Sequence, residues 1–478
     1  MKYTFPKDFL WGTAISAFQT EMGGSKDSIS SGSDWFVWAR DKDNIKRKLV
    51  SSDLPENGDG FWDYYMDDID KAYSLHNNAF RLSVDWPRIF GEDTSNIPVT
   101  LKRENGFLAD VEISEKGMRD LIKMANMKAV NHYREIFSYI KSKRMKVFLT
   151  IYHWPLPLWL HDPVSCHMDI SKCCNRGWID EKTIVEYAKY TYALVYLFRD
   201  LVDIWETINE PEVITFQGYA FGNTSGFPPG LSDLTLAIQV LKNLALAHNI
   251  ATKIVRKLAP GSLVGVGINP SYYEPADDNE MSVVATEFVR YFTNYWFLNA
   301  AINGELDLDF DMETDHKLIS VEKPDYIGLD YYQRIIVRFK PDSAGISPES
   351  IEFMPCRNCT DFMWDIFPEG IRQVVTDTYH RYKIPIYILE NGIADANDIK
   401  RSKFIIDHLK YLSLAISEDS IPVGGYFHWS LIDNFEWAKG YSMRFGLFSV
   451  DYTTKERKAR DSAQVYAKIC EAGEIDEQ

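Results

Sequence analysis

Eight short apolar runs, each followed by a helical stretch before the next, constrain this chain more than any other feature. The runs lie at 9–17, 79–85, 146–153, 204–209, 263–269, 326–331, 386–390 and 423–429. They are rich in β-branched and aromatic residues, as strands buried on both faces are. Helical patterns fall between them, at 64–75, 129–142, 181–201, 236–258, 286–303, 368–381 and 405–416. In the second of these, Tyr133, Ile136, Phe137 and Ile140 form the i, i+3, i+4, i+7 stripe of a core-facing helix. Strand–helix alternation builds a parallel sheet with helical crossovers. Eight repeats with no shift in composition predict closure into an α/β (β/α)8 TIM barrel with long βα loops, a single domain over 1–478. Length alone would allow two or three domains, but a barrel with long loops holds 478 residues as one unit. An open, doubly wound sheet is the alternative. It normally carries a Gly-rich phosphate loop after its first strand, and Gly12-Thr13-Ala14 supplies none.

Four stretches, 18–60, 87–120, 154–180 and 332–365, read as long loops rich in Gly, Pro, Ser, Asn and Asp. Each follows the C-terminal end of a strand, the face on which barrels carry active sites. Polar residues gather at the same ends. Gln19 follows the first run and Arg81 lies within the second. His153-Trp154 ends the third, Asn209-Glu210 the fourth, Asp330-Tyr331-Tyr332 the sixth and Glu390-Asn391 the seventh. Trp429 ends the eighth, with Glu436-Trp437 just beyond. Singly, each has a plain structural reading: Pro211 ends a strand, and Asn391-Gly392 is a turn signal. Their recurrence does not. Two glutamates end buried runs, where an unpaired carboxylate is costly, and Arg81 puts a permanent cation inside another.

Paired carboxylates in a cleft suit glycoside hydrolysis. One protonates the leaving oxygen while the other attacks the anomeric carbon, so their surroundings must hold their pKa values apart. A cation keeps one ionised, and apolar neighbours keep the other protonated. The aromatic share of 14%, with 13 Trp and 27 Tyr, offers rings to stack on a sugar. A net charge of −17 repels phosphate backbones and excludes nucleic acid as a partner. No apolar run is long enough to span a bilayer, and residues 1–8 lack the apolar core of a signal peptide. A cytoplasmic protein with no membrane partner is the expectation.

The ordered motifs resemble the family-1 glycoside hydrolases, in particular their archaeal β-glycosidases. They are Phe9-Leu10-Trp11-Gly12 with Phe18-Gln19-Thr20-Glu21, Phe80-Arg81-Leu82-Ser83, Tyr152-His153-Trp154-Pro155, Thr207-Ile208-Asn209-Glu210-Pro211, Leu389-Glu390-Asn391-Gly392, His428-Trp429-Ser430 and Asn434-Phe435-Glu436-Trp437. The stretches Asn131-His132-Tyr133-Arg134-Glu135 and Ser225-Gly226-Phe227-Pro228-Pro229-Gly230 are similar to the archaeal branch. The resemblance implies a retaining β-glucosidase/β-galactosidase that needs no cofactor or metal, takes small β-glycosides and oligosaccharides, and assembles as a homotetramer. It implies Glu210 as acid/base and Glu390 as nucleophile, with Arg81 and Tyr332 bonded to Glu390. Gln19, His153, Trp154, Asn209, Glu436 and Trp437 would hold the sugar, with Trp429 as platform and Phe445 in the pocket wall.

Two positions depart from the family pattern. Leu389 stands where Thr is common and should turn into packing. Asp330 stands where Asn is usual and brings a third carboxyl group near Glu390; if ionised, it would oppose ionisation of Glu390 and change the pH profile. A 6-phosphoglycosidase would carry a small residue in place of Glu436 and a lysine for phosphate, a role open only to Lys439. A sugar-binding relative without activity would have lost one glutamate, and both are present. The cysteines cluster: Cys166, Cys173 and Cys174 beside His167, and Cys356 with Cys359. Separate free thiols are the expectation; a zinc site or a disulfide joining the two loops is the alternative.

Overall fold

The computed structural model describes residues 2–340 and 348–476. The expected loop at 332–365 therefore includes seven residues, 341–347, outside the described residues, as are the ends of the 1–478 span. Eight strands close a barrel: β1 (Leu10–Ala14), β2 (Ala79–Ser83), β3 (Lys146–Tyr152), β4 (Ile204–Asn209), β5 (Leu263–Ile268), β6 (Tyr326–Asp330), β7 (Ile386–Asn391) and β8 (Val423–Trp429). Every neighbouring pair is parallel, and β8 returns to β1. The outer helices are α1 (Phe61–Ser74), α2 (Met127–Ser142), α3 (Glu181–Phe198), α4 (Leu234–Leu258), α5 (Glu280–Arg290), α6 (Glu369–Tyr382), α7 (Arg401–Ser417) and α8 (Asp461–Ala472). The expected stripe of α2 is buried, with Tyr133, Ile136, Phe137 and Ile140 all at 0% exposure. No helix of the described residues is long and apolar enough to cross a membrane.

Three elements differ from expectation. α5 starts at Glu280 rather than 286 and continues through π-helical turns to Asn303. α8 follows the last strand, where short and polar side chains mask its stripe of Ala463, Tyr466 and Ile469. The stretch 87–120 is not an irregular loop. It holds an antiparallel hairpin, Val99–Glu104 with Phe107–Ile113, turning at Asn105-Gly106, both at positive φ. That backbone is the mirror-type two-residue turn that Asn-Gly favours.

Large side chains fill the barrel lumen. Phe148 lies 5.5 Å from Tyr326 and 5.2 Å from Phe427, centroid to centroid. Glycine makes the space: a Cβ on Gly12 would sit 2.4 Å from the ring of Phe427. Leu389 is buried in the same cluster, as its sequence position suggested.

Register shifts concentrate where the polar residues stand. On β4, Glu206 pairs with Gly265 and Asn209 with Gly267, so three residues advance against two on β5. On β7, Ile388 pairs with Leu329 and Glu390 with Asp330, leaving Leu389 extra. A bulge breaks the alternation of faces and re-aims the side chains beyond it. Leu389 and Glu390 can thus both serve the interior.

The cysteine expectation is corrected. Cys166 bonds Cys173 and Cys356 bonds Cys359, each within its own loop, while Cys174 and Cys470 are free. The reason is local. The end of the short helix Pro163–Met168 folds back to bring Cys173 to 4.9 Å from Cys166, Cα to Cα, and a tight turn leaves Cys356 and Cys359 5.4 Å apart, within disulfide reach. His167 instead faces the carbonyls of Pro229 and Gly230 at 3.0 and 3.1 Å. In oxidised, denatured protein two thiols should titrate, rising to six after reduction. Six without reductant would rule out both bonds.

Candidate functional site

The site is organised around Arg81, which is fully buried. From β2 its guanidinium reaches across the lumen and grips Glu206 on β4, with Nε at 2.9 Å and Nη2 at 3.0 Å. Nη1 donates to Glu390 Oε1 at 2.6 Å, and Nη2 also donates to Asn209 Oδ1. The hydroxyl of Tyr332 donates to Glu390 Oε2 at 2.6 Å. Both oxygens of Glu390 therefore accept from fixed donors. Burial pushes its carboxyl up, while Arg81 and Tyr332 pull it back towards the ionised form.

Glu206 was not anticipated as a site residue. It lies mid-strand, accepts from the hydroxyl of Thr150, and owes its room to Gly267: a Cβ there would stand 2.3 Å from Glu206 Oε1. The available signal was an acid within an apolar run, two strands from the run that holds the one arginine.

Glu210 follows β4 in a left-handed conformation, φ 48° and ψ 61°, and begins the short helix Pro211–Thr215. Such backbone costs about 1–3 kcal/mol in a residue with a side chain and tends to persist where function needs it. Its Oε1 accepts from Asn269 Nδ2 at 2.7 Å, and the backbone N–H of Asn269 donates to Glu212. Asn269 was read only as a strand end, so its donor role was also missed. Burial, then the charge on Glu390, raises the Glu210 carboxyl well above the ordinary range, with Asn269 opposing. The two glutamates thus differ in their donors: Glu390 has the cation and the Tyr332 hydroxyl, Glu210 the neutral amide of Asn269.

Asp330 is the third member. One oxygen each from Glu210, Asp330 and Glu390 lie within 4.8 Å of one another. Glycosidases that retain configuration hold their carboxyl pair about 5–5.5 Å apart, those that invert about 6.5–9.5 Å. The short spacing suits direct attack on a sugar carbon. Asp330 is fully buried, and burial, then Glu390, raises its carboxyl well above the ordinary range, with Arg81 opposing. Arg81 is already balanced by Glu206, so ionising Asp330 as well as Glu390 would leave unbalanced buried charge.

The remaining expected residues lie around this core. Gln19 Nε2 donates to Asn434 Oδ1 at 3.2 Å and to Glu436 Oε2 at 3.3 Å. The Glu436 carboxyl is pushed up to about 8 by burial and the Glu390 charge, with Gln19 opposing. His153 Nε2 lies 3.3 Å from Asn209 Nδ2, and burial beside Arg81 holds its imidazole well below its usual pKa. Trp154 Nε1 donates to the carbonyl of Asn209 at 3.0 Å, and its ring lies 4.5 Å from that of Trp437. The His153 ring stands 6.1 Å from both Trp429 and Trp437. Phe445 packs 6.1 Å from Tyr332. Lys439 is exposed at the end of the turn Trp437–Lys439.

A sequence model of glycosyl hydrolase family 1 matches residues 1–100 and 122–475. The chain belongs to glycosyl hydrolase family 1. It is a retaining glycoside hydrolase. The unmatched residues 101–121 include most of the unexpected hairpin. A β-galactosidase of Saccharolobus solfataricus is 37% identical over 99% of this chain and 96% of its own length. β-Glucosidase A of Thermotoga maritima is 32% identical over 97% of each. Among solved structures, the β-glycosidase of Thermosphaera aggregans superposes with a TM-score of 0.89 at 34% identity, covering 98% of this chain and 97% of that one.

The charge state of Asp330 is directly testable. An ionised carboxylate at this spacing would be worth about 3 kcal/mol at an effective dielectric near 20, or about two pH units on its neighbour. Because burial beside Glu390 favours the neutral form of Asp330, Asp330→Asn should leave the acid limb of kcat/KM, which reports ionisation in the free enzyme, in place. A fall of that limb by about two units would mean Asp330 is charged.

Proposed function

We propose that Glu390 attacks the anomeric carbon of a terminal β-D-glucoside or β-D-galactoside while Glu210 protonates the departing oxygen. Arg81 and Tyr332 keep Glu390 ionised and aimed. Glu210, raised by burial, holds the proton the leaving group needs. After the aglycone departs, Glu210 is a base and draws a proton from water, which releases the sugar from Glu390 with its configuration retained. The observation that carries this assignment is the unequal treatment of two neighbouring carboxyls, one on a buried cation and one on a neutral amide. Asp330, pushed towards its neutral form by burial, has an oxygen within 4.8 Å of both.

The sugar would lie on Trp429, with hydroxyls held by Gln19, His153, Asn209, Glu436 and Trp437, while Trp154 and Phe445 shape the wall. Relatives named β-galactosidase and β-glucosidase support both sugar configurations. A 6-phosphoglycoside is not favoured, since Glu436 sits beside Gln19 where phosphate would have to pass. The same reading takes the whole chain as one catalytic domain in a cytoplasmic homotetramer. A solved relative 36% identical to this chain is described as a mutant derived from a hyperthermophilic tetrameric structure.

The two roles separate by mutation. A dinitrophenolate leaves without a proton, so Glu210→Ala should form the glycosyl-enzyme quickly and stall, giving a burst of phenolate. Azide, which needs no base, should restore turnover and yield the β-glycosyl azide. Glu390→Ala should show no burst, and azide should enter the vacated side to give the α-azide. The opposite pattern would reverse the roles, and near-normal turnover by both variants would place the chemistry elsewhere.

A further inference from the structure

Glu212 is a buried carboxyl that the double displacement does not itself use. It stands two residues beyond Glu210, in the first turn of the short helix Pro211–Thr215. Its Oε1 accepts the backbone N–H of Asn269, and its Oε2 has no hydrogen-bond partner. Burial pushes the carboxyl up to about 8, against the pull of the Asn269 N–H. At neutral pH it is therefore mostly the uncharged acid, and the oxygen facing Asn269 is its carbonyl oxygen.

One three-residue segment thus grips Asn269 at two points. The backbone N–H of Asn269 goes to Glu212, and its side-chain Nδ2 donates to Glu210 Oε1 at 2.7 Å. The backbone of Glu210 adds a third tie to the same strand end, its N–H donating to the carbonyl of Gly267 at 2.9 Å. The chain beyond Asn269 is held as well. Pro270 fixes its own φ, and Ser271 exchanges two hydrogen bonds with the side chain of Asn294, at 2.9 and 3.3 Å. Glu212 and Asn294 therefore pin the backbone on either side of Pro270, and the direction of the Asn269 amide follows from where that backbone is held.

That direction bears on the reaction because it decides which oxygen of Glu210 carries the proton. In a neutral carboxyl, the oxygen that accepts an N–H is the carbonyl oxygen. With Asn269 on Oε1, the proton sits on Oε2. If the amide turned away, the proton would divide between both oxygens and the carboxyl would be free to rotate, at a cost to the alignment of proton transfer.

We propose that Glu212 is a positioning residue for the acid/base: it holds the Asn269 backbone so that the Asn269 amide stays on Glu210 Oε1 and the transferable proton stays on Oε2. The proposal rests on the assignment of Glu210 as acid/base and adds the group that aims it. Glu212 acts through Asn269 and not on the substrate.

The test compares Glu212→Met, which keeps the length of the side chain and removes the acceptor, with Glu212→Gln, which keeps an oxygen for the N–H. Two substrates separate the proton from the rest of the reaction. The phenolate of 2,4-dinitrophenyl β-D-glucoside leaves without a proton, and that of p-methoxyphenyl β-D-glucoside does not. A well-placed general acid is worth about 10²–10⁴-fold, so Glu212→Met should lose at least about tenfold in kcat/KM for the methoxyphenyl substrate and less than about twofold for the dinitrophenyl one. With the dinitrophenyl substrate kcat, set by release of the sugar, should fall, and azide should restore it. Glu212→Gln should stay within about twofold of the parent on both substrates. Asn269→Ala, at a half-buried position, should reproduce the Met pattern, and combining it with Glu212→Met should add no further loss, because one residue works through the other. Should Glu212→Met not fold, Glu212→Asp, which draws the carboxyl back from the N–H, takes its place with the same expectations. A loss shared equally by both substrates would make Glu212 a support of the fold and overturn the proposal. So would a Gln variant as poor as Met, or losses that multiply in the double variant. Failure of the underlying assignment looks different: Glu210→Ala would then hydrolyse the methoxyphenyl glucoside at a near-normal rate, whereas failure of this inference alone leaves Glu210→Ala impaired on it and Glu212→Met not.

Discussion

A buried guanidinium must be neutralised, and in this barrel that requirement sets the rest of the site. Arg81 cannot shed its proton and has no exposed surface. Glu206 supplies the balancing charge through two hydrogen bonds, and Gly267 supplies the space for Glu206. Such a pair is weak evidence for stability, since removing two charges from water costs about as much as their attraction returns. Its value lies in what remains unspent. With Glu206 closing two sides of the guanidinium, a third N–H group is left pointing at Glu390.

From that geometry follows a gradient of protonation across a few ångströms. Glu390 touches the cation and is drawn towards ionisation. Burial raises all four carboxyls of this group, and only Glu390 has that contact to oppose the rise; Glu210, Asp330 and Glu436 lack it. A nucleophile and a proton donor can then coexist in one pocket at one pH, which is what double displacement asks of two chemically identical side chains. The bulges on β4 and β7 are the mechanical counterpart. Without the extra residue before Asn209, strict alternation would turn it away from Arg81, and without the extra Leu389 the side chain of Glu390 would face the opposite layer.

Much of this was legible in the sequence, for definite reasons. Parallel strands buried on both faces are continuous apolar runs, so all eight were found in order, although the first run overshot the end of β1 at Ala14 because Ile15, Ala17 and Phe18 remain buried beyond it. Polar side chains at the ends of such runs marked the site face, and the family resemblance ordered them. What stayed hidden depends on partners far away in sequence or on signals that look ordinary. Glu206 reads as an oddity until Arg81, 125 residues earlier, is beside it. Asn269 reads as a strand end until its amide meets Glu210. The hairpin at 99–113 is exposed along its first strand and mostly half-buried along its second, so it lacks an apolar run, though Asn105-Gly106 marked its turn. The cysteines were expected to stay free or to join loops; each pair instead closed on its nearest neighbour, because a short helix and a tight turn brought them together. The charge of Asp330 was open in the sequence; burial, then Glu390, pushes its carboxyl towards the neutral form.

The central claim is that the carboxylate held by Arg81 and Tyr332 is the one that bonds to sugar. The most direct measurement is to trap the intermediate with a dinitrophenyl 2-deoxy-2-fluoro-β-D-glucoside, whose fluorine slows both steps while its dinitrophenolate leaving group keeps capture fast, so that the glycosyl-enzyme accumulates. The inactivated protein is then digested and the peptide carrying the added mass is sequenced. The label should fall on Glu390, in the peptide containing Leu389-Glu390-Asn391, at one sugar per chain. A label on Glu210 or Asp330 would contradict the account, since it would place the attacking oxygen on a carboxyl that the buried cation does not hold.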